Sequence, residues 1–362
     1  MFKVTTLSCI LQRSIKRMTF PAVGVSEGPN RYYFLQRIGC YNSRHFVTTP
    51  LMSSKGSDIE GSVDNDEDGY RSLYGAYELV VPQKVSALLK VPSHIQLPNY
   101  VPTPDGRPLG PAKKGPFIRT KEELDIMRDT CILTKQILRK TIREVKVGVT
   151  TDELDKYAHH LIIENNAYPS SLLYKKFPKS ICTSVNNVAC HGIPDSRKLL
   201  DGDIITIDLM VYKNGFHGDC AETALVGNVD EKGKCLVKTA KQCLDLGINQ
   251  CGPNVPFEYI GKCIEDYAND LNYSVVGAFA GHGIGRNVHE LPEIYHYERP
   301  DVKKQLMIPG MTFTVEPVIS QGMDLVTLLS DGWTYVTVDG SRAAQFEDMI
   351  LITNQGFEVL TL

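Results

Sequence analysis

Residues 204–221 read IITIDLMVYKNGFHGDCA, and their pattern decides the architecture. β-Branched and aromatic residues crowd the segment, the mark of half-buried or buried strands. Asn214-Gly215 is a strong signal for a two-residue hairpin turn. With those two as the loop, Asp219 falls opposite Met210, and Met210 shares a face with Asp208 two residues earlier. The two aspartates are then diagonal neighbours on one face of a ribbon, close enough to meet. Carboxylates held inside such strands are costly unless they are paired or bound to a cation.

The same oddity recurs further along. Glu316 follows Thr312-Phe313-Thr314-Val315, Glu347 precedes Ile350-Leu351-Ile352, and His282 sits in Gly281-His282-Gly283-Ile284-Gly285. Taken singly, each has an ordinary explanation: aspartates in turns are solvated, glutamates blunt sheet edges, and a loop histidine is commonplace. Together, Asp208, Asp219, His282, Glu316 and Glu347 form a ligand set for two divalent ions and point to a dinuclear metallohydrolase. Oxygen-dominated ligation with a single imidazole suits manganese, iron, cobalt or zinc.

Around this segment the chain divides by composition. Its 362 residues, 42% hydrophobic and 22% charged, are those of a soluble globular protein. A net charge of −3 and the lack of a long basic run argue against nucleic-acid binding as the main role. No apolar stretch reaches the length of a membrane span. The ten cysteines include no CxxC pair, which disfavours a zinc ribbon, and nothing requires disulfides.

Residues 1–52 read as a transit peptide and disordered N-terminus. From Met1 to Met18 there are basic residues and no acidic one, with Val4, Leu7, Leu11, Ile15 and Met18 on one helical face. This predicts a mitochondrial protein, whereas initiation at Met18 would leave a cytoplasmic one. Residues 53–81 read as an acidic disordered linker. Eight prolines between Pro82 and Pro116 make 82–119 an extended lead across the domain surface. The compact domain spans 120–362. Capping boxes at Thr120/Glu123 and Thr150/Glu153 open two helices before the hairpin, and residues 230–251 and 256–271 read as two more before the remaining ligand-bearing strands. This order hints at an internal duplication. The expected class is α+β, with helices backing a curved antiparallel sheet whose other face carries the ions.

Several blocks, in this order and spacing, resemble type 1 methionine aminopeptidases: CTSVNNVACHGIPD at 182–195, DLMVYKNGFHGDCAET at 208–223, GHGIGRNVHE at 281–290, TVEP at 314–317 and AQFE at 344–347. The lead Val91-Pro92-Ser93-His94-Ile95 and the basic start are most similar to the mitochondrial branch. The resemblance implies the pita-bread fold with its pseudo-twofold repeat. It also implies removal of the initiator methionine from nascent chains whose second residue is small, by a hydroxide activated between two ions. By that resemblance Asp219 and Glu347 would bridge the ions, Asp208 would bind one, and His282 with Glu316 the other. Glu316 would serve as general base, His289 would help stabilise the oxyanion, and His191 would hydrogen-bond the substrate amide. Tyr174, Phe177, Cys182 and Trp333 would line the methionine pocket. A monomer, in possible contact with the ribosome, is the expected state.

Three departures from the family pattern stand out. Asp348 follows Glu347 where a histidine is usual, and strand alternation turns it away from the ions, so it would act through the surrounding hydrogen bonds and charge. Lys175-Lys176 replaces small residues and would narrow the rim or attract acidic nascent chains. Val288 stands where bacterial relatives tend to carry an aromatic and would loosen the pocket wall. Prolidase-like peptidases share the ligands but add a folded N-terminal domain that residues 1–119 do not resemble. Type 2 methionine aminopeptidases carry an insertion for which 289–316 is too short, and a non-catalytic binding protein on this fold would be expected to lack ligands.

Overall fold

The computed structural model describes residues 73–108 and 115–362; the expected transit segment and residues 53–72 of the expected linker lie outside the described residues. Two helices come first, α1 (Lys121–Arg143) and α2 (Thr151–Glu164), each opened by the capping box read from its sequence. The hairpin follows as β4 (Ile204–Lys213) and β5 (Phe216–Leu225), with Met210 opposite Asp219 and Lys213 opposite Phe216. The Asn214-Gly215 turn holds both residues at positive φ, 51° and 88°, as this two-residue loop requires.

Strand alternation explains what lies on each face. Ile205, Ile207, Leu209 and Val211 point to one side, where they are fully buried with Ile137 and Leu138 of α1 and Leu154, Ala158 and Ile162 of α2. Asp208 and Met210 are left to the other side. Each fully buried aliphatic side chain contributes roughly 1.5–3 kcal/mol of apolar transfer, enough to fix the register against a one-residue slip that would invert both faces.

The second half repeats the order. Helices α3 (Glu231–Ile248) and α4 (Glu258–Asp270) precede a five-stranded sheet. That sheet contains β7 (Gly281–Gly283), β9 (Thr312–Val315) and β14 (Asp348–Ile352). Leu236, Ala240, Leu244, Ile260 and Ile264 cover Phe313, Val315, Ile350 and Ile352. Instead of one continuous surface, the strands among the described residues form four hydrogen-bonded sheets of four, three, three and five strands. Two of these sheets meet at a single antiparallel bridge, Ala221 to Glu347.

The proline-rich lead packs against this frame. The backbone N–H of Gln83 donates to Asp195 Oδ2 at 2.6 Å, and just before the lead, at the end of the expected linker, that of Val80 donates to Asn187 Oδ1 at 2.7 Å, so side chains of the domain satisfy these two donors of an extended chain. Ile95 and Tyr100 are buried with Tyr168, Leu172, Tyr174, Tyr212 and Val288. Val288, where the sequence suggests a looser wall, is fully buried in this cluster, to which the lead contributes Ile95 and Tyr100.

Candidate functional site

The bridge between the sheets assembles the site. Asp208 pairs with Cys182 of β2 (Cys182–Val185) on one edge and with Ala221 of β5 on the other, and Ala221 in turn pairs with Glu347. The Glu347 N–H donates to the Ala221 carbonyl at 3.0 Å and the Ala221 N–H returns to Glu347 at 3.4 Å. Side chains in such a row share a face. Ligand oxygens from Asp208, Asp219 and Glu347 consequently lie within 4.8 Å of one another. His282 Nε2 is 4.0 Å from Asp219 Oδ2 and 3.6 Å from Glu316 Oε1. All five residues singled out from the sequence are thus contiguous.

Their electrostatics demand a cation. Burial pushes the Glu316 carboxyl up to about 8 and that of Asp208 to about 7. Asp219 and Glu347 are also raised, first by burial and then by the neighbouring carboxylates. Among the described residues the ion pairs of these carboxylates are with His282 and with no lysine or arginine. His282 is itself held down to about 4 by burial, so it is neutral near pH 7. Its Nδ1 lies 3.1 Å from the Gly283 carbonyl, an acceptor, which assigns the proton to Nδ1 and leaves the Nε2 lone pair facing the carboxylates. Asp219 Oδ1 and Glu347 Oε1 are buried without a hydrogen-bond partner, an arrangement that costs several kcal/mol unless a cation takes the lone pairs. The donor set therefore fits divalent ions.

Glu316 is held from three sides. Thr314 Oγ1 donates to its Oε1 at 2.7 Å, Gln345 Nε2 lies 3.4 Å from Oε2, and its backbone N–H donates to His296 Nε2 at 3.0 Å. Asp348 lies on the reverse face, as alternation predicts: Lys135 of α1 pairs with it at 3.0 Å and the Thr361 hydroxyl donates to it at 2.9 Å.

The remaining expected residues flank the carboxylates. The His289 ring centroid is 4.1 Å from that of His282, and its Nδ1 is 2.7 Å from the Tyr174 hydroxyl. One side of His289 is open to solvent, yet it sits deep among protein atoms; that burial, then His282, holds it well below the usual histidine range. Burial raises Tyr174 to about 12, so its hydroxyl stays a donor. Phe177 meets Trp333 edge-on at 5.1 Å, and His191 lies 5.8 Å from Trp333. Cys182 is buried beside Asp208, and burial raises its thiol strongly, so it is an apolar wall and not a nucleophile.

Reading the sequence missed several neighbours. Phe279 and Tyr335 both pack edge-on to His191, at 5.6 and 6.1 Å. Each stands two residues from a marked position, His191 apart, and strand spacing from Gly281 and Trp333 could have flagged them. Gln345 and His296, which hold Glu316, carry no pattern of their own. Tyr100 meets Tyr174 edge-on at 5.1 Å, a contact across more than seventy residues that only the fold reveals.

Comparison with known proteins agrees with this geometry. The profile of metallopeptidase family M24 matches residues 125–354. Over 294 residues the chain is 46% identical to methionine aminopeptidase 1D, mitochondrial, of Danio rerio, covering 81% of this chain and 85% of that one. The mouse protein of the same name is 46% identical over 342 residues, covering 93% of both. Among solved structures, the methionine aminopeptidase of Rickettsia prowazekii superposes with a TM-score of 0.67 at 42% identity, covering 68% of this chain and all of that one. This chain belongs to metallopeptidase family M24, within its methionine aminopeptidase branch.

Proposed function

We propose that Asp208, Asp219, His282, Glu316 and Glu347 would hold two divalent ions. The chain is a metal-dependent methionine aminopeptidase that removes the initiator methionine from nascent protein N-termini. When bound, such ions make hydroxide available from water near neutral pH and polarise the scissile carbonyl. Manganese, iron, cobalt and zinc all suit this donor set. The unpartnered oxygens of Asp219 and Glu347, buried among other carboxylates, are the observation that carries the assignment.

The chain's own residues do the rest. Glu316, fixed by Thr314 and Gln345, accepts a proton and delivers it to the leaving amine. With the Tyr174 hydroxyl donating to Nδ1, neutral His289 carries its proton on Nε2, free to donate to the developing oxyanion. His191, kept neutral near pH 7 by burial and then by Lys175, contacts the substrate amide. Tyr174, Phe177, Cys182 and Trp333 receive the methionine, whose thioether gains from aromatic edges. The likeness to the mouse mitochondrial relative over 93% of the chain supports action in that organelle. A monomer working on chains as they leave the ribosome is consistent with this reading.

Release of methionine from Met-Ala-Ser and Met-Lys-Ser peptides, before and after chelation, tests it. Metal-dependent cleavage of the alanine peptide alone is the expected result; undiminished cleavage after thorough chelation contradicts it.

A further inference from the structure

The turn that carries Tyr174 is strained in an informative way. Leu173, Lys175 and Lys176 all have positive φ, 63°, 46° and 70°, a region that favours glycine and is costly for long side chains. The turn is pinned from outside by the lead. The Lys175 N–H donates to the Gly106 carbonyl at 2.8 Å, and a Cβ on Gly106, itself at φ 68°, would come within 2.7 Å of that same nitrogen. Lys175 thus has a fixed backbone and an exposed side chain.

That side chain lies at the site. Its Nζ is 5.1 Å from the Tyr174 ring centroid, and Tyr174 contacts His289. Its charge bears on His191, His282 and His289 together, secondary in each case to their burial. Arg107 stands close enough to act on both Tyr174 and Lys175, and its own partner is Asp105 at 3.6 Å. Among the described residues no carboxylate forms an ion pair with Lys175 or Lys176, so the mouth presents unneutralised positive charge.

We propose that Lys175, held by the lead through Gly106 and reinforced by Arg107, selects nascent chains that carry a carboxylate at the third residue. The inference rests on the aminopeptidase reading. With methionine in its pocket and the scissile amide between His191 and His289, Lys175, over Tyr174 and two contacts from His289, stands where the outgoing chain would pass. A carboxylate there forms a rim ion pair; a cation there is repelled. Rim charges of this kind act mainly on productive encounter and are weakened by salt.

The test compares kcat/KM of the purified full chain on C-terminally amidated Met-Ala-Asp-Ser, Met-Ala-Ser-Ser and Met-Ala-Lys-Ser. The acidic peptide is expected to exceed the basic one by at least about fivefold at low salt, with the ratio shrinking as salt is raised to about 0.5 M. In Lys175→Gln the ratio should fall towards one, and in Lys175→Arg it should persist. Because the readout is a ratio within one protein, a general loss of activity does not disturb it. A wild-type ratio near one, or one unchanged by salt or by Lys175→Gln, overturns the proposal. Failure to cleave even the serine peptide overturns the aminopeptidase reading, and this inference with it.

Discussion

Lys179 is buried three residues before the pocket cysteine Cys182, in direct contact with Asp152 and 3.9 Å from Asp155. The Ser86 hydroxyl lies 2.6 Å from its ammonium, and the Ser180 and Ile181 N–H groups donate to Asp155. On the other face of the neighbouring hairpin, Asp219 and Glu347 are buried and Asp208 and Glu316 half-buried, yet their nearest basic group is a histidine that burial keeps neutral near pH 7. The first cluster holds its own counter-charge, although Asp155 Oδ2 lacks a hydrogen bond and burial raises that carboxyl to about 6; the second has several buried oxygens and no lysine or arginine paired with them among the described residues. Buried charge therefore signals function less than buried charge without a counter-charge does.

Substitutions should separate the two. Asp219→Asn and Glu347→Gln are each expected to reduce methionine release by at least about a thousandfold, since each removes a ligand. In the chelated protein the same changes should leave the melting temperature unchanged or raise it, because they relieve repulsion. Loss of stability on either change would place these residues in the self-sufficient class. Lys179→Met should do the opposite, costing about 3–5 kcal/mol by leaving Asp155 without a counter-charge and Asp152 with Lys156 alone, read from the urea midpoint, while folded molecules still bind metal.

pH sharpens the contrast further. Asp208 and Glu316 have folded-state values raised to about 7 and about 8, above the ordinary carboxylate range. Without metal, their contribution to stability is full below about pH 4 and is lost as pH rises through those values. Asp152, lowered to about 2 by its hydrogen bonds from Lys156, Lys179 and Ser86 against a desolvation penalty, contributes stability above about pH 4 that is lost as pH falls towards 2. Melting curves of the chelated protein should therefore decline from about pH 6.5 to 8, on the order of the linkage expected for such shifts, because below that range the buried neutral histidines His191, His217, His282 and His296 offset the carboxylates, and saturating manganese should flatten them. A decline that persists with metal bound would detach those carboxylates from the ions.

Smaller effects are expected further out. Tyr174→Phe, which frees the orientation of His289, should lower kcat about tenfold with a lesser change in KM, measured on the alanine peptide. Asp348→Asn should cost about 1 kcal/mol through Lys135 and alter metal affinity little, because its side chain lies behind the sheet.

Much of this was legible in the sequence because it rests on local rules. The Asn214-Gly215 turn fixes the hairpin register, and period-two alternation then fixes which way Asp208, Asp219 and Asp348 point. The capping boxes mark the starts of α1 and α2 for the same reason. What escaped depends on contacts between distant segments. Nothing in the lead announces that Tyr100 will fill the wall beside Val288 or that Gly106 will pin Lys175. Nor does periodicity reveal that the curved sheet is broken into four, with the Ala221–Glu347 bridge as the joint that brings the two halves' ligands together.

The most direct test is calorimetric titration of manganese into the chelated protein, alongside recovery of methionine release, for wild type and Glu347→Gln. Saturable binding of two ions whose occupancy tracks activity, and its collapse in Glu347→Gln, is the predicted result. Unaltered binding in that variant, or activity that ignores occupancy, would contradict the claim that this buried carboxylate cluster is the enzyme's metal centre.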